Sequence, residues 1–119
     1  MKGILVVAHG NRVKETESVI DTVLSMVKVK LPDTIIEYAC LKYSGRTIEK
    51  GIAALAARGI TEIKVVPYFL FMGKHLIEDL PPIIAQFARN FPGIQITMGE
   101  PLGADERLAD ILVDRINSA

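Results

Sequence analysis

Short apolar runs and longer amphipathic segments alternate along the chain. Residues 4–8 form a continuous apolar run, the pattern of a strand buried on both faces. From 13 to 31 the apolar residues include Val19, Ile20, Val23, Leu24, Val27 and Leu31, a helical spacing that Pro32 stops. Residues 34–41 are rich in β-branched and aromatic side chains and predict a second strand. A second helix is expected over 47–58, with Ile48, Ile52, Leu55 and Ala56 inward. Gly59 would end it in the left-handed conformation that glycine adopts cheaply. Residues 63–66, with Pro67 just beyond, predict a third strand. Pro81 and Pro82 predict the opening of a third helix, facing inward through Ile83, Ile84, Phe87 and Phe91 and capped by Asp79. A short fourth strand is expected over 94–98, and Leu108, Ile111, Leu112 and Ile116 give a last helix its apolar stripe.

The order is βαβαβαβα. Right-handed crossovers turn it into an α/β fold, a four-stranded parallel sheet with helices on both faces. The expected strand order is 2-1-3-4, a flavodoxin-like half in which the chain leaves strands one and three in opposite directions. The crevice beyond the carboxyl ends of those two strands is where open α/β sheets bind ligands.

Composition narrows the function classes. The chain has 119 residues, with no linker, repeat or charge block, so one domain over 1–119 is expected. Fourteen basic residues balance fourteen acidic ones, which argues against a nucleic-acid partner. One cysteine cannot form an internal disulfide. The longest strongly apolar run, 65–73, is far short of the ~20 residues that span a bilayer, and the first residues lead into no cleavage region. The expectation is a soluble cytoplasmic domain without a membrane partner.

Only two histidines are present. His9 follows strand one directly, and His75 lies in the segment after strand three, so both belong to the mouth of the crevice. Each alone is readable as a solvated loop residue or a cap. Together they suit a divalent first-row metal or a general base, since imidazole titrates near ~6.5. Two ligands are too few for a closed structural site and leave positions for water or a nitrogen-bearing substrate. The apolar stretch 68–72 either continues the strand into the core, through Phe69 and Phe71, or forms an apolar wall for a flat ligand. No Gly-x-Gly-x-x-Gly or Gly-x-x-x-x-Gly-Lys is present to cradle a dinucleotide or a nucleoside phosphate. Cys40, in a strand, reads as a small core residue.

Three blocks in order carry a family resemblance over nearly the whole chain. The opening Leu5-Val6-Val7-Ala8-His9-Gly10-Asn11-Arg12 resembles a strand–His–Gly–Ser–Arg start. The stretch from Val66-Pro67-Tyr68-Phe69-Leu70-Phe71-Met72-Gly73-Lys74-His75 through Glu78-Asp79-Leu80-Pro81 resembles the pattern Pro–x–Phe–Leu–x–x–Gly–x–His–x–x–x–Asp–x–Pro. Glu100-Pro101-Leu102-Gly103 resembles the Pro-Leu-Gly before a final helix. These blocks are similar to those of the small, ATP-independent sirohydrochlorin chelatases, especially the short cobaltochelatases.

The resemblance implies nucleotide-free insertion of a divalent metal into a sirohydrochlorin-type tetrapyrrole, with Co2+ first and Ni2+ or Fe2+ as alternatives. No cofactor is implied beyond that substrate metal. His9 and His75 would hold the metal and take the two protons that leave the pyrrole nitrogens. Glu78 and Asp79 would relay protons or guide hydrated metal, although Asp79 reads equally as a helix cap. Arg12, Lys42, Arg46 and Lys74 would meet the substrate's carboxylates, although each also reads as a solvated charge. Phe71 and Met72 would form the apolar wall. Many relatives carry a glutamate ligand at the end of strand two, where this chain has Lys42. Longer relatives hold two such domains, so a single-copy chain is expected to be a homodimer whose second subunit closes the cleft. A non-catalytic metal or tetrapyrrole carrier is the alternative that Lys42 motivates. Phosphoryl transfer through His9 ranks last, because histidine phosphatases have an arginine where this chain has Ala8.

Overall fold

The computed structural model describes residues 1–12 and 15–118, the side chains of Glu15, Thr16 and His75 excepted. In chain order it contains β1 (Lys2–Ala8), α1 (Glu15–Lys30), β2 (Ile35–Cys40), α2 (Ile48–Ala57), β3 (Glu62–Pro67), α3 (Lys74–Ala88), β4 (Gln95–Met98) and α4 (Glu106–Asn117). The expected beginning of the first helix, Val13 and Lys14, lies outside the described residues. The strands form one parallel sheet in the order β2-β1-β3-β4, as the crossover rules predict. Leu5 stands opposite Glu37 on one side and Val65 on the other. No helix among the described residues is long and apolar enough to cross a membrane.

β1 is central and apolar in both directions, so it feeds two cores. Leu5 and Val7 meet Ile52 and Leu55 of α2, Leu80 and Ile84 of α3, and Ile63 and Val65 of β3. Val6 and Ala8 meet Ile36, Tyr38 and Cys40 of β2 and Ile20 of α1. Cys40 is therefore a core residue, as its place in a strand suggests. Gly59 ends α2 as read, while Thr47, expected as the first helical residue, is its N-cap. The Thr47 hydroxyl accepts the Lys50 N–H at 3.2 Å, and Gly59 takes φ +81° beyond the last turn.

Three expectations are corrected. The third helix does not open at Pro81; it begins at Lys74, with Gly73 as its N-cap and both prolines inside. Asp79 is thus an interior residue and not a cap. The reason is burial. Leu80 and Ile84 are buried, with Ile83 and Phe87 packed on the same core, which outweighs two missing backbone hydrogen bonds. His75 consequently stands in the first turn of α3, not in a loop. The third correction concerns inward faces. No residue of α4 is buried, and Ile111, Leu112 and Ile116 are exposed; Val19 and Leu31 of the first amphipathic segment are exposed as well.

Candidate active site

The loops after β1 and β2 are tied to each other. Leu41 N–H donates to the Ala8 carbonyl and Lys42 N–H to the His9 carbonyl, each at 3.0 Å. Gly10 makes this approach possible. It sits at φ +91°, and a Cβ there would lie 1.9 Å from the Lys42 carbonyl oxygen, so no side chain fits. The 41–45 turn is closed by Cys40 N–H to the Arg46 carbonyl at 2.8 Å. Ser44 donates to the Glu17 carboxylate, which fastens the turn to α1.

His9 is the imidazole this scaffold presents. Its Nδ1 lies 2.9 Å from the Gly10 carbonyl oxygen. A carbonyl only accepts, so Nδ1 carries the proton and Nε2 keeps a free lone pair. That tautomer is the one that ligates a metal or accepts a proton, and the hydrogen bond orients the ring. His9 lines a cleft of ≈ 690 Å³ whose walls come from the 40–44 segment, including Lys42, Tyr43 and Ser44, and from α3 through Leu76 and Asp79. On α3, Leu76, Asp79, Ile83 and Gln86 share one face toward this cleft, at spacings of three and four.

The structure brings His9, Lys42 and Asp79 to one cleft and sets Arg12 beside it, with its guanidinium 4.9 Å from the centre of the Tyr43 ring. Lys74 and Glu78 are exposed on the first turns of α3. Phe71 and Met72 line a neighbouring apolar groove of ≈ 690 Å³, with Leu70, Ile77, Pro81 and Met98. Phe71 is 79% exposed, so it does not continue β3 into the core, whereas Met72 packs on the core edge. Arg46 is the residue that the fold takes elsewhere. Its guanidinium lies 4.4 Å from the centre of the Tyr38 ring, in a hollow with Asp21, Lys28 and Arg58 and away from His9. Among the described residues, no three His, Cys, Asp or Glu side chains converge as a metal site.

The sequence reading passed over Tyr43. It lines the His9 cleft and holds φ +62°, a left-handed conformation that costs a non-glycine residue about 1 kcal/mol or more. Arg12 stacked on its ring, and a turn bounded by two cross-loop hydrogen bonds, hold it there. The signal available was the Tyr-Ser-Gly sequence after an apolar strand, which marks a turn and gives no ring orientation. Burial raises the Cys40 thiol pKa against an opposing hydrogen bond with Ser44, so this thiol is a poor ligand in its ordinary state.

Comparison with known proteins places this geometry. The family model CbiX matches residues 3–119. A sirohydrochlorin ferrochelatase of Priestia megaterium is 38% identical over 117 residues, which is 98% of this chain and 44% of that protein. A sirohydrochlorin cobaltochelatase of Methanosarcina acetivorans is 31% identical over 98% of this chain and 95% of its own length. The chain therefore spans about half the length of some curated relatives and nearly all of others. The solved sirohydrochlorin chelatase SirB of Bacillus subtilis subspecies spizizenii, in complex with cobalt, superposes with a TM-score of 0.87 at 34% identity, over 97% of this chain and 49% of that one. SirB from Bacillus subtilis with Fe3+ gives 0.86 at 31% identity, over 99% of this chain and 48% of that one. With its match running from Gly3 to the last residue, the chain belongs to the CbiX family.

Proposed function

We propose that this chain inserts a divalent metal into sirohydrochlorin without a nucleotide, Co2+ foremost and Ni2+ or Fe2+ as alternatives. The observation that carries the reading is the His9 ring, held by the Gly10 carbonyl with Nε2 free, in a cleft walled by the first turns of α3. His75 stands in that first turn, four residues before Asp79, and such spacing puts two positions on one helix face. In this reading His9 and His75 hold the incoming metal and accept the two pyrrole protons, and Asp79 with Glu78 passes those protons to water. Lys42, Arg12 and Lys74 meet the carboxylates of the macrocycle, and Phe71 and Met72 offer apolar surface beside α3. The chain acts as a homodimer, its second subunit closing the cleft. The curated relatives named for cobalt and for iron support the reaction class and leave the metal to supply and geometry.

The test is anaerobic mixing of protein, sirohydrochlorin and Co2+, followed by the absorption of the macrocycle. His9→Ala should lower the rate of insertion ~100-fold or more, the range of a lost acid–base group. A His9→Ala protein as fast as wild type defeats the mechanism. Protonated imidazole neither ligates nor accepts a proton, so the rate should fall as the medium is made acidic. A flat rate from about pH 5.5 to 8 counts against both roles. The second reading, a carrier, is favoured by the missing third ligand among the described residues and by Lys42 at the cleft. It requires stoichiometric binding with no acceleration over the spontaneous reaction.

A further inference from the structure

Among the described residues Tyr43 is the one non-glycine residue with a positive φ, at +62°. A glycine would take that conformation without strain, and the same turn holds one two positions later. Yet Gly45 is not left-handed, and the strained position falls on a large ring. Packing does not account for the choice, since Tyr43 is 53% exposed and belongs to neither core. The backbone sets the ring's direction instead. On one side Lys42 N–H donates to the His9 carbonyl at 3.0 Å. On the other, Arg46 N–H donates to the Ser44 hydroxyl at 3.0 Å, and that hydroxyl donates to Glu17.

What the ring meets is Arg12. Its guanidinium lies 4.9 Å from the ring centre, and no carboxylate among the described residues pairs with it. Arg12 is exposed, and an unheld arginine spreads over many rotamers that must be given up when a ligand binds. A guanidinium stacked on a ring gives them up in advance and keeps its in-plane N–H fork for an acceptor. That planar fork suits a carboxylate, which accepts two parallel hydrogen bonds. Arg12 also stands three residues past His9, at most ~11 Å along the chain. A group so placed meets the rim, not the centre, of a macrocycle seated over His9.

We propose that Tyr43 is a positioning residue, holding the Arg12 guanidinium at the rim of the cleft for one carboxylate of the tetrapyrrole. The inference rests on the chelatase reading and deepens it, because it gives the turn after β2 a part in substrate selection. Tyr43 acts through Arg12 and takes no part in holding metal or moving protons. Its removal should therefore change how tightly the macrocycle is held and not how fast the metal enters it.

The test measures sirohydrochlorin binding to the full chain without metal, from the absorption of the macrocycle, beside KM and kcat for Co2+ insertion. Tyr43→Leu should weaken binding and raise KM ~10-fold while kcat stays within ~3-fold of wild type. Tyr43→Phe keeps the ring face and should recover the lost affinity. Tyr43→Gly removes the ring and relieves the backbone together, so it should unfold cooperatively in urea and still bind weakly. In a cycle with Arg12→Gln, the double variant should bind about as weakly as Arg12→Gln alone, because both changes remove one contact. Tyr43→Leu or Tyr43→Gly binding as tightly as wild type, losses that multiply in the double variant, or a fall in kcat at unchanged KM overturns the proposal. A wild type that binds sirohydrochlorin without accelerating insertion sinks the chelatase reading alone, and the binding cycle still decides on Tyr43.

Discussion

On one face of the sheet α2 and α3 bring Ile52, Leu55 and Leu80 to zero exposure, while on the other α1 covers only the β1–β2 half and α4 covers nothing. The two faces share the same strands, so the difference lies in the side chains between them. β3 sends Ile63 and Val65 toward α2 and α3 but Glu62 and Lys64 the other way, and β4 sends Ile96 inward but Gln95 and Thr97 outward. Alternation along two strands decides which helices find an apolar seat. Stability is thus concentrated on one side of the sheet, and the other side is left open to association.

Mutations can break or sharpen this contrast. The largest effect is expected from Ile52→Ala, which empties a fully buried site between α2 and the sheet and should cost about 2–5 kcal/mol in urea unfolding. Gly10→Ala should follow at about 1–3 kcal/mol, because neither its backbone conformation nor the Lys42 carbonyl has room for a methyl group. It should also depress the proposed metal insertion by displacing His9.

On the α1 side, the Tyr38 hydroxyl is buried with no hydrogen-bond partner among the described residues. Burial pushes its pKa up to about 12, against the lowering by Arg46. The folded chain therefore holds the phenolic proton while the unfolded chain releases it near 10. Stability intact below pH 10 is lost as pH rises toward 12. Tyr38→Phe should match or exceed wild type by up to about 1 kcal/mol at neutral pH and remove this alkaline loss. A variant that stays equally alkali-sensitive would mean that another group titrates.

The smallest effect on the core is expected at Asp105. Hydrogen bonds from Arg107 hold its carboxyl below the usual carboxylate range, so the cap persists above the unfolded value and is lost only as pH falls through the lower folded one. Asp105→Ala should fray α4 in circular dichroism and leave the unfolding midpoint of dilute monomer unchanged. A large drop in that midpoint would show that α4 contributes to the core of its own chain.

The strand order was readable because each strand is a short apolar run bounded by a turn or a proline, and α2 because Thr47 and Gly59 mark its ends. Pro81 and Pro82 misled for a physical reason. Proline is best tolerated at a helix start, yet the spacing of Leu76, Leu80, Ile83, Ile84 and Phe87 carries the helix straight through them. The stripe on α4 was equally visible, but periodicity shows that a helix has an apolar side and not what covers it. At the site, His9 could be placed because a residue directly after a central strand has only one crevice to enter. Arg46 could not, because the 41–45 turn swings it to the face that carries Tyr38.

Gly10 and the two prolines of α3 also give the cleft unequal sides. Without amide hydrogens, Pro81 and Pro82 leave the carbonyls of Ile77 and Glu78 unbonded within the helix, removing two adjacent rungs just beyond the turn that bears His75. The His9 side is pinned backbone to backbone, whereas the α3 side keeps its shape across the two missing rungs through the burial of Leu80 and Ile84.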